Sequence, residues 1–211
     1  MNIQNIILIS SAHQEEGELN SNELYKILVK INPEVIFEEL PFPRTKENII
    51  KFNIKSIESL AIDRYIDDYN VAHVSVDFDF LFILDEINSI YEILFKAFEN
   101  NDKYRSLNLR KNYSINKYGF KYLNSDECLC ILDEIKSIEK DIIIELNNIK
   151  LSCLYNLLGK INKKRENEMV EKIFEYSIKM IITMLFLYLA LPIKNLFLKI
   201  LKIIKINTMQ I

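Results

Sequence analysis

Three short apolar segments alternate with two amphipathic segments in the first 80 residues, and this order constrains the fold more than any other feature. The apolar runs, Ile3–Ser10, Val35–Phe37 and Ala72–Val76, have the length of strands, and residues 23–31 and 54–69 between them carry apolar side chains at helical spacing. The order β-α-β-α-β favours a parallel sheet covered by helices. We therefore predict an α/β fold with a parallel-sheet core, helices on its faces, a long helical second half and an apolar helical C-terminal tail.

The second half of the chain has long amphipathic segments. Helical spacing predicts helices over about residues 85–100, 126–148 and 165–176, whereas the Asn-, Lys- and Tyr-rich stretch 100–124 is expected to be a loop or an excursion from the fold. We divide the chain into an α/β domain over residues 1–176 and an apolar, lysine-containing tail over residues 177–211.

The bulk composition narrows the classes of function. With 211 residues and 49% hydrophobic side chains, the chain can form one packed domain. A formal net charge of −3 argues against nucleic-acid binding, which usually needs a basic surface. The sequence starts without a basic leader and has three cysteines, Cys128, Cys130 and Cys153, so we predict free thiols in a reducing cytoplasm. Nothing in the sequence indicates an oligomeric state.

Ionisable residues follow the predicted strands at the point where each strand ends. His13, Glu38 and Asp77 come at or just after these ends, and in open α/β sheets the ligand crevice lies at that edge. A neutral imidazole with one or two carboxylates can bind a divalent metal or relay a proton to water. Glu38 and Glu39 must point to opposite sides of an extended strand, and we expect Glu38 to face the crevice. The alternative is that the carboxylates are solvated loop residues and His13 lies beside a helix end.

Arg165 is the candidate cation of this crevice. It belongs to the charged start of a helix, "KKRENEMVEKI", whose apolar side includes Met169 and Ile173. A guanidinium aimed into the crevice could hold a carboxylate or an oxyanion. A solvated charged turn is the alternative.

Three motifs in this order resemble the TraB/TIKI superfamily, together with the ChaN-like and erythromycin-esterase-like proteins. These motifs are "ISSAHQ", "INPEVIFEEL" and "KKRENEMVEKI", and the resemblance spans roughly residues 3–176. It implies that His13 is the motif histidine, Glu38 the glutamate of the second strand and Arg165 the helix arginine. Ser10 stands where the family motif has glycine, and Glu166 stands where it has asparagine.

The resemblance also implies a type of chemistry. Members of the superfamily include metal-dependent peptidases, esterases and haem-binding proteins, so we expect a hydrolase acting on peptide or ester bonds of a peptide or small molecule. His13 and Glu38 would bind a divalent metal or activate water, Asp77 would support them, and Arg165 would stabilise negative charge on the substrate. The alternative is a non-catalytic protein that binds a small ligand in the same crevice.

The tail differs in composition from the rest of the chain. Residues 177–211 contain five lysines and no Asp or Glu. Residues 180–193 form an apolar run, shorter than the ~20 residues of a membrane span. Lys199, Lys202 and Lys205 then recur every third residue, as in an interfacial amphipathic helix. Membrane contact through the tail is one alternative, and a buried helical hairpin broken at Pro192 is the other.

A change of reading frame near residue 177 is a third hypothesis for the tail. Suppose that the reading frame is shifted so that each new codon starts at the third base of a codon in the given frame. The bases that can encode residues 186–197 then also permit the translation Phe-Ile-Phe-Gly-Ala-Ala-His-Lys-Lys-Ser. That is an apolar strand followed by Gly-x-x-His, which the resemblance leads us to expect near the C-terminus. The given tail would then be a chance apolar peptide, and the sheet would lack its last strand and expose an edge.

Overall fold

The computed structural model describes residues 5–78, 83–179 and 184–190, and the side chains of residues 7–78 and 83–177. Seven helices and four strands lie in these ranges. In chain order they are β1 (Asn5–Ser11), α1 (Ser21–Ile31), β2 (Val35–Glu38), α2 (Lys46–Lys51), α3 (Ile57–Tyr69), β3 (Ala72–Ser75), α4 (Leu84–Phe98), α5 (Asp102–Leu123), α6 (Asp126–Leu146), α7 (Ile149–Lys179) and β4 (Met184–Ala190). The described chain is therefore mostly helical, with a small sheet.

The sheet is parallel, and its order is β1-β4-β2-β3. β4 lies between β1 and β2, with Asn5 opposite Met184 and Val35 opposite Leu185. The prediction of a helical tail is therefore wrong for residues 184–190, because this run of seven apolar residues pairs as a strand with a neighbour on each side. The predicted amphipathic segment around Lys199, Lys202 and Lys205, and the break at Pro192, lie outside the described residues.

The side chains of β2 alternate between the two faces of the sheet. Ile36 belongs to the cluster that contains the buried residues of α1 and α3, whereas Val35 and Phe37 pack with Met169 and Ile173 of α7. All four residues of β2 are buried. Such a strand, apolar on both faces, is expected in a parallel sheet covered by helices.

Asparagine takes the backbone role that glycine usually has at helix ends. The chain has only three glycines, and three helices end in a left-handed residue that is asparagine. These residues are Asn32 after α1, Asn70 after α3 and Asn147 after α6. Each of these asparagines lies within two residues of a helix end predicted from the sequence. The predicted C-terminal ends of these three helices are therefore close to the observed ones.

The segment 100–124, which we predicted to be a loop, forms α5 instead. Asn101 begins the helix by accepting a hydrogen bond from the amide of Tyr104 at 3.0 Å. The buried side of this helix includes Tyr104, Ile115 and Phe120, which pack in the main core. The prediction failed because polar residues outnumber the few buried ones, so the composition conceals the apolar face.

Two glycines fix the loop that follows β1. The amide of Glu18 donates to the carbonyl oxygen of Asn116 in α5 at 2.9 Å. A Cβ at Gly17 would lie 2.3 Å from that oxygen, and a Cβ at Gly119 would lie 2.6 Å from the carbonyl oxygen of Glu18. Both glycines have positive φ, and Gly119 (φ 51°, ψ −133°) kinks α5. The close approach of loop and helix therefore requires glycine on both sides.

Replacing Gly119 by alanine should destabilise the fold. The side chain would meet the Glu18 backbone in a conformation that costs an L residue about 1–3 kcal/mol. Gly159 is the matched control, because a Cβ there meets nothing within 4 Å and alanine is the better helix former by about 1 kcal/mol. Urea unfolding should show a loss of stability for G119A and a gain for G159A. Equal effects of the two changes would contradict this account.

Candidate functional site

Ionisable side chains collect where β1, β2 and β3 end, in three groups. The Arg44 cluster consists of Glu38, Arg44, Ser59 and Asp63. The Arg165 cluster consists of Glu39, Asp77, Arg165 and Lys172. The third group is the pair formed by His13 and Glu58. The clusters fall on different sides of β2 because adjacent strand residues point to opposite faces.

The Arg44 cluster ties the end of β2 to α3. Arg44 donates two hydrogen bonds to the Glu38 carboxylate, from Nε to Oε2 at 2.6 Å and from Nη2 to Oε1. The same guanidinium donates to Asp63 and, at 3.2 Å, to the Ser59 hydroxyl. The Arg44 and Glu38 side chains are only 4% and 3% exposed. Burial raises the pKa of Glu38, and the contact with Arg44 opposes that rise.

The Arg165 cluster ties α7 to the ends of β2 and β3. Arg165 donates from Nε to Oδ1 of Asp77 at 3.1 Å and from Nη2 to Oδ2 at 2.6 Å. Nη2 also lies 2.7 Å from Oε1 of Glu39. Two turns further along α7, Lys172 donates to the main-chain oxygen of Asp77. Both carboxylates are buried, so this helix brings the cation that balances them.

His13 contacts a buried carboxylate at the start of α3. Its Nδ1 lies 3.5 Å from Oε1 of Glu58, and the side chains are 68% and 4% exposed, respectively. The main-chain oxygen of His13 also accepts from the amide of Ile57 at 3.3 Å, which fixes the loop against the helix. The Glu58 carboxylate raises the pKa of His13; burial opposes this, Glu39 adds to it and Arg165 also opposes it.

The structure regroups the four residues selected from the sequence. Asp77 and Arg165 are in direct contact. His13 meets Glu58, and Glu38 meets Arg44, so the expected association of His13 with Glu38 is replaced by two other pairs. Glu38 and Glu39 do have different partners, as the alternation of a strand predicts.

Sequence reasoning missed Arg44 as the partner of Glu38, and it missed Glu58 altogether. Arg44 lies in an irregular loop after two prolines, where no periodicity indicates its direction. Glu58 follows the helix cap Ser56 by two residues, and acidic residues are common in a first helical turn for electrostatic reasons alone. The neighbourhood of Arg165 did carry a sequence signal, because Asp77 and Glu39 both follow predicted strands.

The residues expected to hold a divalent metal do not fit one. Both carboxylate oxygens of Glu38 accept from Arg44, and Nδ1 of His13 faces Glu58. The charges that act on the pKa of His13 come from Glu58, Glu39 and Arg165. In the described ranges, no group of three or more His, Cys, Asp or Glu side chains could hold a metal ion.

Glu166 stands where the resembled motif has asparagine. It is buried, and burial raises its pKa to about 7, while Lys136, Arg165 and Lys163 oppose the rise. Burial therefore favours the protonated form of this side chain more than in an ordinary glutamate. A protonated carboxyl group is neutral and can donate a hydrogen bond.

Comparison of the chain with family models, curated proteins and solved structures found no match. The functional assignment therefore depends on the geometry of the site.

Replacing Arg165 by methionine should destabilise the protein by about 3 kcal/mol, because it removes the guanidinium that two buried carboxylates contact. Arg105 is the matched control, since its partner Asp102 lies on the surface, and R105M should cost less than about 1 kcal/mol. Urea unfolding measures both changes. Equal losses for the two variants would show that the Arg165 cluster contributes no more than a surface ion pair.

Proposed function

We propose that this chain is a cytoplasmic hydrolase of ester or peptide bonds, built on a parallel-sheet core, in which His13 acts as the general base. The observation that carries the proposal is the contact between the exposed imidazole of His13 and the buried carboxylate of Glu58. Ligands of open α/β sheets bind at the carboxyl ends of the strands, and His13 follows the end of β1.

Glu58 supports this role by orienting the imidazole. A carboxylate at Nδ1 favours the tautomer with its proton there, which leaves Nε2 as the acceptor. Nε2 would take a proton from a water molecule as its oxygen attacks the carbonyl carbon of the substrate. The protonated ring would then return the proton to the leaving alcohol or amine as the bond to the carbonyl carbon breaks. Water is the only co-reactant.

Arg165 has a different part in this proposal from the one expected from the sequence. Its Nε and Nη2 donate to Asp77 and Glu39, so these donors are committed to the protein. We assign to Arg165 the positioning of the strand ends around His13. Stabilisation of negative charge on the substrate is not assigned to it.

Two other functions are distinguished by experiment. A non-catalytic protein that binds a small ligand at the same edge would use His13 for affinity alone. A peripheral membrane protein would use residues 177–211, but residues 184–190 pair on both sides within the sheet. In the described part of the chain, no helix has the length and apolar character needed to cross a bilayer.

His13→Ala should lower the rate of hydrolysis of p-nitrophenyl esters or of a peptide library by about 10²–10⁴, the usual contribution of a general base. The only other histidine, His73, provides the matched control, and H73Q should retain the rate.

Because Glu58 raises the pKa of His13, the base form is favoured above that raised value, and the rate should increase as the pH rises through it. Glu58→Gln should move this limb to lower pH. A ligand that binds to the wild type, without turnover and less tightly to H13A, would identify a binding protein instead.

The C-terminal strand changes the form in which the reading-frame hypothesis can be proposed. The expectation that the given frame leaves the sheet without its last strand is wrong, since β4 pairs with β1 and β2. In the shifted frame, Gly-x-x-His would begin at position 190. In the given frame, Ala190 at that position lies beside Ser11, two residues before His13. We propose that a second histidine belongs at this edge and that the frame change removed it.

Nucleotide sequencing across codons 165–211 tests the reading frame. A one- or two-base change that restores the strand followed by Gly-x-x-His is the expected result. The restored protein should then hydrolyse the substrates faster than the chain with the given tail. An intact frame in fresh genomic DNA would end the hypothesis and leave the given apolar sequence as the natural end of the sheet.

A further inference from the structure

We propose that Arg44 is a positioning residue for the His13–Glu58 pair, acting through the first turns of α3; the inference rests on the proposed function, because it identifies what holds the general base in place. Arg44 itself touches neither His13 nor Glu58 among the contacts of its guanidinium. Its effect on the site is therefore transmitted by the helix.

Arg44 attaches α3 to the sheet. Arg44 donates two hydrogen bonds from one edge of its guanidinium to Glu38, at the end of β2. The other edge of the guanidinium donates to Asp63. It also donates to Ser59, in the first turn of α3. One guanidinium thus joins a strand end to two successive turns of a helix.

The His13 loop is attached to the same helical turn. Glu58 is adjacent to Ser59 and contacts the imidazole of His13, while Ile57 donates its amide to the main-chain oxygen of His13. Ser56 caps the helix by accepting from the amide of Ser59 at 3.2 Å. Because Ile57, Glu58 and Ser59 belong to one capped turn, any movement of Ser59 is shared by the carboxylate that orients His13.

The arrangement of acceptors around Arg44 requires a guanidinium in particular. Arg44 must serve acceptors in three directions, on Glu38, Ser59 and Asp63, and its planar fork presents five donors in fixed geometry. A lysine ammonium would balance the buried Glu38 charge but has no fork with which to hold all three. Arg44→Lys therefore separates the positioning role from the balance of charge.

NMR titration of the histidine ring protons tests the proposal, since the chain contains only two histidines. In the wild type, Glu58 holds the pKa of His13 above its ordinary value. Glu58→Gln provides the reference for complete loss of that contact and should bring the His13 midpoint down towards about 6.5. R44K should move the midpoint in the same direction, although it leaves Glu58, Glu39 and Arg165 in the chain.

Arg64→Lys is the matched control on the same helix. Its guanidinium lies over the ring of Tyr25 and donates to Asn22, away from the Arg44 cluster, so R64K should leave the His13 midpoint unchanged. His73, whose Nε2 lies 3.4 Å from the main-chain oxygen of Arg44, reports whether the local fold survives in R44K. Retained His73 signals with a lowered His13 midpoint are the expected result.

A folded R44K protein with the wild-type His13 midpoint would overturn the proposal. If R44K does not fold, Asp63→Ala and Ser59→Ala decide the same question, because each removes one contact of Arg44 with α3 and leaves Glu38 paired. An unchanged midpoint in both would likewise overturn it. The titration needs no turnover, so a wild type that shows the coupling but hydrolyses nothing would contradict the proposed function alone.

Discussion

The structure depends on the neutralisation of carboxylates at the carboxyl ends of its strands. Glu38, Glu39 and Asp77 are all buried there, where an isolated negative charge would be costly. Two arginines balance these negative charges on opposite sides of β2. Arg44 belongs to a loop, and Arg165 belongs to α7. Each therefore fixes the position of an outer element while it balances charge. The ends of β2 and β3 are consequently joined to α3 and α7 by ion pairs.

In the proposed function, this arrangement divides the candidate site into a supporting part and a part that carries out proton transfer. The arginines have their donors directed at protein acceptors. The Glu38, Glu39 and Asp77 carboxylates that they contact are shielded from water, whereas Asp63 is half-exposed. His13 is the exception, because its ring is largely exposed while its partner Glu58 is buried. An exposed imidazole held by a buried carboxylate suits proton transfer, whereas saturated ion pairs suit the maintenance of geometry.

Sequence patterns predicted the elements more successfully than the contacts between them. Alternation along β2 predicted that Glu38 and Glu39 diverge, since this is a property of the strand itself. The partner of Glu38 was not predictable, because the direction of Arg44 depends on an irregular loop and on the position of α3. The strand at Met184–Ala190 was missed for a related reason: a short apolar run fits a strand or a buried helix equally well, and pairing with β1 and β2 decides between them.

The central position of β4 also affects how the chain can fold during synthesis. β1 and β2 are not neighbours in the sheet; each pairs with a strand that is translated after residue 183. On the ribosome, the first strand must therefore wait for almost the whole chain before it gains its partner, and the order of contacts is strongly non-local. Until then the apolar edges of β1 and β2 remain available to other chains, so a nascent or truncated form should depend on chaperones more than the finished protein does.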